Sequence, residues 1–497
     1  MYNDIKKLQN GSDIRGVAME GVKGESVNLG HDEAASIGAA FTYWLAYKRT
    51  KSFQALNICI GNDPRLSADP LVKALVTGIN YMGAKATYAG LASTPAMFMS
   101  TVMPFYEFDG AIMVTASHLP FNRNGFKFFT EEGGLNKEDI AEILRIAERA
   151  SIVTDFYEYE NVELMPIYAA HLRSIISMGM GGKPDGMKVI VDAGNGAGGF
   201  FAEQVLAPLG FDVSGSLYLE PDGHFPNHAP NPEDPKALKA LCTAVVSEHA
   251  DLGIIFDTDV DRSAVVSPTG RPIARNEIVA LAAAIGAKSH PGGTVVTDSI
   301  TSKELTRFLE DSLDLKHLRL KRGYRNVINK AIELDAQGED AFLAIETSGH
   351  AAFKDNYYLD DGAYLAALAV VEAARCKKEG KTIDSLIDGL SAPAESVEFR
   401  IPISADDFSA VADAALSSIS DLADTHPALT LVTPNHEGVR VDFDFDGDTG
   451  WFLMRKSLHD PLLPLNVESS KEGTSALAVA LIKEALAEVD GVDTSVL

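Results

Sequence analysis

Leu252-Gly253-Ile254-Ile255-Phe256-Asp257-Thr258-Asp259-Val260-Asp261-Arg262 is the stretch on which the reading of this chain turns. Its first half is a short apolar run with no polar face, as expected of a strand buried between helix layers. Its second half places carboxylates at every second residue. In an extended segment that spacing points Asp257, Asp259 and Asp261 the same way. Oxygens brought to ~4 Å repel by roughly 4 kcal/mol per pair at an effective dielectric near 20, and by about 1 kcal/mol in water. A divalent cation turns that repulsion into a site, and an all-oxygen donor set favours Mg²⁺ over zinc. The alternative is a solvated acidic loop.

Working outward, the same layout recurs. Apolar runs at 55–60, 110–114, 187–191, 294–296 and 341–345 each end in a polar or glycine-rich loop. Helical patterns alternate with them at 32–47, 70–82, 137–150, 235–248, 277–287 and 362–378. Strand, loop and helix in rotation predict α/β domains with parallel or mixed sheets, and ligands gather at the carboxyl ends of such strands. The pattern resets at about 1–160, 161–268 and 269–390, predicting three similar α/β domains with linkers at 151–159 and 390–395. Past Leu390 the character changes. Val397–Ile401 alternates, a helix is expected over 405–422, and 439–445 with 451–455 form a hairpin around Asp446-Gly447-Asp448-Thr449-Gly450. A closing helix over 473–489 completes a smaller α+β domain at 391–497.

The chain of 497 residues has a formal net charge of −27, which argues against nucleic acid or an anionic membrane as partner. An anionic ligand then needs local basic groups. Cys59, Cys242 and Cys376 are far apart and follow no metal spacing, so they are expected to be reduced thiols. No run approaches a membrane span, and the first ten residues carry no apolar stretch of signal-peptide type. The expectation is a cytoplasmic protein, a monomer or weak homo-oligomer, unless a targeting segment was trimmed.

Four loops carry the chemistry. Thr115-Ala116-Ser117-His118-Leu119-Pro120 exposes a serine after a buried strand, with His118 beside it and Lys127 ten residues on to move a proton or hold a phosphate. An ordinary turn uses the same residues. Arg262 follows the third aspartate, placed for phosphate oxygens or for a salt bridge inside its own loop. Glu346-Thr347-Ser348-Gly349-His350 offers a carboxylate and a hydroxyl suited to adjacent sugar hydroxyls, or a helix-capping turn. Arg455-Lys456-Ser457-Leu458-His459-Asp460-Pro461 makes an anion cradle or a charged hairpin exit. The turns at 11–16, with Arg15, and at 321–325, with Lys321 and Arg322, are weaker basic signals. Asp192–Gly199 lacks the lysine of a phosphate loop and reads as structural.

In this order the loops resemble those of the α-D-phosphohexomutase family, over nearly the whole chain. The segment Phe225-Pro226-Asn227-His228 with Pro230-Asn231-Pro232 is also similar to a family segment. The resemblance implies the four domains grouped around a central cleft. It implies a phosphate carried by Ser117, with Mg²⁺ held by Ser117, Asp257, Asp259 and Asp261. Lys127 resembles the general acid/base, and Arg15, His118 and Arg262 would support the phosphoserine. Glu346 and Ser348 would grip the sugar and Arg455, Lys456 and Ser457 would hold the non-reacting phosphate, with His350, Lys321 and Arg322 as further substrate-binding residues. The implied reaction moves phosphate between O1 and O6 of a hexose phosphate (glucose and/or mannose). It passes through a hexose 1,6-bisphosphate that reverses without leaving and also serves as activator. Leu119, and Leu458-His459 in the C-terminal loop, depart from the family's usual residues.

Three other readings stay open: a phosphoglucosamine mutase, a non-catalytic sugar-phosphate binder, and a phosphatase using Asp257 as nucleophile with Asp259 as acid/base. The last leaves Ser117 without a role.

Overall fold

The computed structural model describes residues 4–106, 108–152, 154–405, 407–457 and 460–497. Leu458 and His459 lie outside the described residues. The chain divides into two compact units, one of residues 1–286 with 342–386 and the other of 287–341 with 387–497.

The first unit opens on a mixed sheet. Gly110–Val114 runs parallel to Asn57–Asn62, which runs parallel to Lys85–Leu91. Arg123–Thr130 returns antiparallel beside Gly110–Val114, and Asp13–Val17 pairs antiparallel with it in turn. The segment around Lys127 is therefore a strand, where the sequence reading left it in a loop. Helices His31–Arg49 and Ala68–Tyr81 pack tightly together because both offer glycine at the contact. A Cβ on Gly78 would sit 1.9 Å from the Ala35 carbonyl oxygen, and one on Gly38 2.4 Å from that of Leu75.

A second, four-stranded sheet holds the decisive stretch. Leu252–Phe256 is wholly buried, parallel to Val189–Asp192 and antiparallel to Ser263–Val266. Flanked on both edges, it has no solvated side, which accounts for its unbroken apolar run. The aspartates sit in the turn of this hairpin and not in an extended continuation of the strand.

The third set of α/β elements contributes to both units. Helix Asn276–Gly286, the antiparallel strands Leu343–Ile345, Ala351–Phe353 and Leu359–Asp360, and helix Gly362–Lys378 belong to the first. The parallel strands Thr294–Thr297 and Lys316–Arg319 and helix Tyr324–Ala336 belong to the second.

The C-terminal sheet is antiparallel throughout, in the order Glu395–Pro402, Leu462–Ser469, Asp448–Met454, Val439–Phe445, Leu429–Leu431. Helices Phe408–Thr425 and Thr474–Leu486 cover one face, closing a core that includes Ile419, Val441, Phe443, Phe452 and Ile482. The hairpin turns on two residues, Asp446 at φ 56° and Gly447 at φ 94°. Two positive φ values in succession match the right-handed twist of the strands, so pairing resumes at Asp448, earlier than the sequence reading placed it.

Glu395 ties the start of this sheet to the last helix. Its carboxylate accepts from the backbone amides of Gly473 (2.7 Å) and Ser475 (2.9 Å) and from the Ser469 hydroxyl (2.8 Å). Those amide bonds, then the hydroxyls, pull its pKa from 4.5 down to about 2. A carboxyl whose folded pKa is depressed contributes stability above its unfolded value and loses it as pH falls through the folded one. The difference in melting temperature between the wild type and Glu395→Gln is therefore expected to be constant near neutral pH and to shrink as pH falls from about 4.5 towards 2. Thermal melts across that range check it.

No helix among the described residues is long and apolar enough to cross a membrane. The three cysteines are free.

Candidate active site

Ser117 follows the buried strand Gly110–Val114 and sits at φ 50°, a left-handed conformation that turns its side chain out of the strand direction. Its amide donates to Thr115 Oγ1 (2.9 Å), and the Thr115 hydroxyl donates to Asp63 Oδ2 (2.6 Å). Ser117 Oγ donates to Asp257 Oδ2 at 2.9 Å, across 140 residues of sequence. The serine and the first aspartate, singled out separately in the sequence, are thus in direct contact within the first unit.

The aspartate turn is built by a strained residue and by glycine packing. Val260, β-branched and fully buried, holds φ 70°, a conformation that usually costs a branched residue on the order of 1–3 kcal/mol and that clusters at functional sites. Behind the turn, a Cβ on Gly196 would meet Thr258 Cα at 2.8 Å, and the Ala197 amide donates to the Thr258 carbonyl at 2.8 Å. The 192–199 loop is accordingly structural, as read from the sequence, and its task is to back the acidic turn. The three carboxylates converge because the chain reverses here, not because it is extended.

Asp257, Asp259 and Asp261 are buried and offer ligand oxygens within 4.8 Å of one another. Asp259 Oδ1 and Asp261 Oδ1 are buried with no hydrogen-bond partner. Leaving such oxygens unsatisfied is costly, and a hard divalent cation bound by oxygen would satisfy them. The residues present therefore fit a Mg²⁺-type ion. Lys127 supplies the compensating charge here, donating to Asp259 Oδ2 at 2.9 Å and to Asp261 Oδ2. Burial pulls the Lys127 pKa down, but the two carboxylates outweigh it and hold the side chain firmly as an ammonium. Burial and then the neighbouring Asp261 push Asp257, which Lys127 does not touch, well above the usual carboxylate range. Burial works against Asp259 and Asp261, and Asp261's charge also works against Asp259, yet both end below their ordinary values: the Lys127 charge with hydrogen bonds from Thr94 and Lys127 does this at Asp259, and the Lys127, His350 and Arg262 charges do it at Asp261.

Arg262 links the two loops. Its Nε donates to Asp257 Oδ2 (3.1 Å), and its Nη2 donates to Ser117 Oγ (3.1 Å) and to His118 Nδ1 (2.7 Å). Both readings of Arg262 hold at once: it salt-bridges its own loop and touches the serine. Burial, then the Arg262 and Arg15 charges, lower His118 to about 3, so it is a neutral acceptor at physiological pH. Arg15 donates to the Thr115 carbonyl and to Asp13 Oδ2 (2.8 Å). In the 225–232 segment, the Asn231 amide oxygen accepts from Arg262 Nη1 (3.3 Å).

The 346–350 loop lies against this turn. Arg262 and His350 form an antiparallel bridge, and a Cβ on Gly349 would sit 2.6 Å from the Ser263 carbonyl oxygen. His350 Nδ1 bonds Asp360 Oδ2 and stands 4.0 Å from Asp261 Oδ1. Burial lowers its pKa, but Asp360 and then Asp261 carry it to about 9. Glu346 is 5 % and Ser348 7 % exposed, and Ser348 Oγ has no hydrogen-bond partner.

The remaining predicted residues belong to the second unit. Arg455 Nε is buried without a partner, and burial followed by the Arg322 charge lowers the Arg455 pKa, so the two guanidiniums are neighbours. Arg322 is 3.5 Å from Asp298 Oδ2, and its amide donates to Glu437 Oε2 (3.2 Å). Ser457 Oγ accepts from the Asp460 amide (3.2 Å). Lys456 is paired with Asp413 at 2.9 Å, and Lys321 is exposed.

Arg65 is the residue the sequence reading missed. Only 2 % exposed, it donates to the carbonyls of Ser117, Leu119 (2.7 Å), Pro120 (2.8 Å) and Arg123 (3.0 Å), and its Nε donates to Asp63 Oδ2 (3.2 Å). The available signal was a basic side chain closing a strand-end loop in a strongly acidic chain. Thr94, whose hydroxyl donates to Asp259 Oδ2, left no such signal.

Comparison with known proteins bears on this geometry. Models of the phosphoglucomutase/phosphomannomutase α/β/α domains I, II and III match residues 6–152, 166–270 and 274–393. A phosphomannomutase/phosphoglucomutase of Pseudomonas aeruginosa is 31% identical over 87% of this chain and 88% of its own length. A phosphoglucomutase of Neisseria meningitidis is 28% identical over 95% of both chains. The crystal structure of a phosphoglucomutase/phosphomannomutase family protein from Burkholderia thailandensis superposes with a TM-score of 0.78, at 27% identity over 97% of each chain.

Proposed function

The chain belongs to the phosphoglucomutase/phosphomannomutase family and is a phosphohexose mutase, and from that premise we propose that it moves phosphate between O1 and O6 of glucose and/or mannose monophosphate through a phosphorylated Ser117 and a hexose 1,6-bisphosphate. The observation that carries this reading is the 2.9 Å contact of Ser117 Oγ with Asp257 at the edge of three convergent carboxylates.

In the first half-reaction the bond between Ser117 Oγ and phosphorus breaks as a bond from a sugar hydroxyl to the same phosphorus forms; in the second, Ser117 Oγ bonds to the phosphorus at the other end of the bisphosphate as that phosphorus parts from its sugar oxygen. Asp257, Asp259, Asp261 and Ser117 would hold Mg²⁺, which when bound supplies positive charge to the phosphoryl oxygens. Arg262, already donating to Ser117 Oγ, stabilises charge on the serine oxygen as it leaves. Arg15 and Arg65 hold the serine turn by its carbonyls. His118, neutral and bonded to Arg262, orients that guanidinium and is not a proton donor at neutral pH. Lys127 is assigned the proton transfers: as an ammonium it gives a proton to the departing oxygen, and it can accept one only once freed from Asp259 and Asp261.

Glu346 and Ser348 are assigned to the sugar hydroxyls. The unpartnered Ser348 Oγ can both donate and accept. Arg455 and Arg322, two guanidiniums close enough to repel, are assigned with Lys321, Lys456 and Ser457 to the distal phosphate, which would relieve that repulsion.

The test is peptide mapping after exposure to glucose 1,6-bisphosphate, alongside turnover of glucose 1-phosphate and mannose 1-phosphate. Phosphate is expected on Ser117, with turnover lost on chelation and restored by Mg²⁺. Label on Asp257 instead would overturn the mechanism.

A further inference from the structure

The second unit carries a basic cavity that the proposed reaction does not use. Its volume is about 230 Å³, and its wall includes Lys303, Thr306, Arg307, Arg319, Arg440 and Asp442. Four of those side chains are cations and one is a carboxylate, in a chain whose net charge is −27.

Two of the cations, Arg440 and Arg319, are held in place by hydrogen bonds. Along strand Val439–Phe445, Val441 and Phe443 turn into the core, so Arg440 and Asp442 take the opposite face. Arg440 is 3 % exposed, its guanidinium 3.8 Å from the Trp451 ring centroid, and it donates to the carbonyls of Ser299 (2.8 Å) and Thr301 (3.0 Å). Arg319 donates from Nε to Thr301 Oγ1 (3.1 Å) and from Nη2 to the Ser302 carbonyl (2.9 Å) and the Thr306 hydroxyl. Its Nη1 has no hydrogen-bond partner among the described residues.

Their charge is only partly offset: Asp442, Glu304 and Glu468 act on both Arg319 and Arg440, and Glu310 on Arg319, against the effect of burial. Asp442 is paired with Lys303 at 2.8 Å, and among the described residues no carboxylate lies within ion-pair distance of Arg307, Arg319 or Arg440. Burial and then the Arg319 charge lower Arg440 to about 9. Glu468, the next acid in reach of Arg440, is itself raised to about 7 by burial, so it is a weak counter-charge at neutral pH. One buried and one half-buried guanidinium beside an exposed one, with an open donor on Arg319 and, among the described residues, no carboxylate at ion-pair distance, suit a tetrahedral anion.

We infer that this cavity binds a small phosphate-type dianion, either inorganic phosphate or the phosphate group of a sugar phosphate. The volume is below that of ordinary cofactor pockets, which excludes a nucleotide. The site shares no residue with the Arg322–Arg455 cluster. Its occupant joins strand Val439–Phe445 to the 303–319 segment within the second unit and stabilises that unit against heat.

Calorimetric titration of the full chain with inorganic phosphate, and separately with glucose 6-phosphate, at ionic strength held by potassium chloride, tests this. Inhibition of turnover by phosphate reports the catalytic site independently. A binding event is expected that Arg307→Gln weakens about threefold and Arg307→Gln/Arg319→Gln about tenfold or more, together with loss of the phosphate-dependent rise in melting temperature and no change in inhibition. Arg307 is exposed, so its single variant stays folded and decides the matter if the double variant does not. Binding in one arm alone identifies the source of the anion. Unaltered binding in Arg307→Gln, or thermal stabilisation matched by chloride, overturns the proposal.

Discussion

Ser117→Ala is expected to lower turnover on the order of 10⁴-fold or more while the protein stays folded. The substitution removes one oxygen. Asp257 keeps the Arg262 backbone amide (3.2 Å) and Nε (3.1 Å), so its carboxylate is not stranded. Arg262 keeps Asp257, His118 and Asn231. The stability loss should then be about 1 kcal/mol, the net worth of an ordinary hydrogen bond. On the mechanism proposed, catalysis has no such redundancy, because among the described residues no other hydroxyl donates to Asp257. Steady-state rates and a thermal melt on the same preparation separate the two effects. Substantial residual turnover would remove the phosphoserine from the mechanism.

Arg65→Met is expected to cost about 3–5 kcal/mol of stability, the range for breaking a buried ion pair from one side. The residue is 2 % exposed and its partner Asp63 fully buried. Burial already pushes the Asp63 carboxyl up, against Arg65 and Thr115, so losing the guanidinium leaves an uncompensated acid beside four carbonyls that Arg65 had served. Met matches the stem but supplies no donor. Arg65→Lys restores charge but not the planar fork, so it should recover part of the stability and little of the rate. Urea unfolding gives the first quantity. A fall in kcat exceeding that in Arg65→Lys stability identifies a positioning role for the serine turn.

The fold was legible where the signal was local. The strands Gly110–Val114 and Leu252–Phe256 and the helix Gly362–Lys378 fall at their expected bounds, because unbroken apolar runs and helical periodicity are properties of a short window. The Asp446-Gly447 turn was legible for the same reason, though the strand resumes sooner than expected. Lys127 was harder: Arg123–Thr130 begins with arginine, asparagine and glycine, turn residues whose burial comes from pairing with Asp13–Val17, over a hundred positions away. Arg65 left only the faint signal of a basic side chain closing a strand-end loop, since its acceptors lie 52 to 58 residues downstream and no nearby pattern marks them. The convergence of the aspartates was anticipated by alternation along an extended chain, whereas a reversal at Val260 produces it. The serine and the acids could each be read from sequence, but their 140-residue contact could be expected only through family resemblance.

A serine turn clamped by Arg65 and Arg15 leaves Ser117 little freedom to move. On the mechanism proposed, the anvil is stationary and the workpiece must tumble: the end-for-end exchange that presents a second oxygen falls wholly to the small molecule. A doubly phosphorylated sugar would then have to be sheltered from water until it comes round.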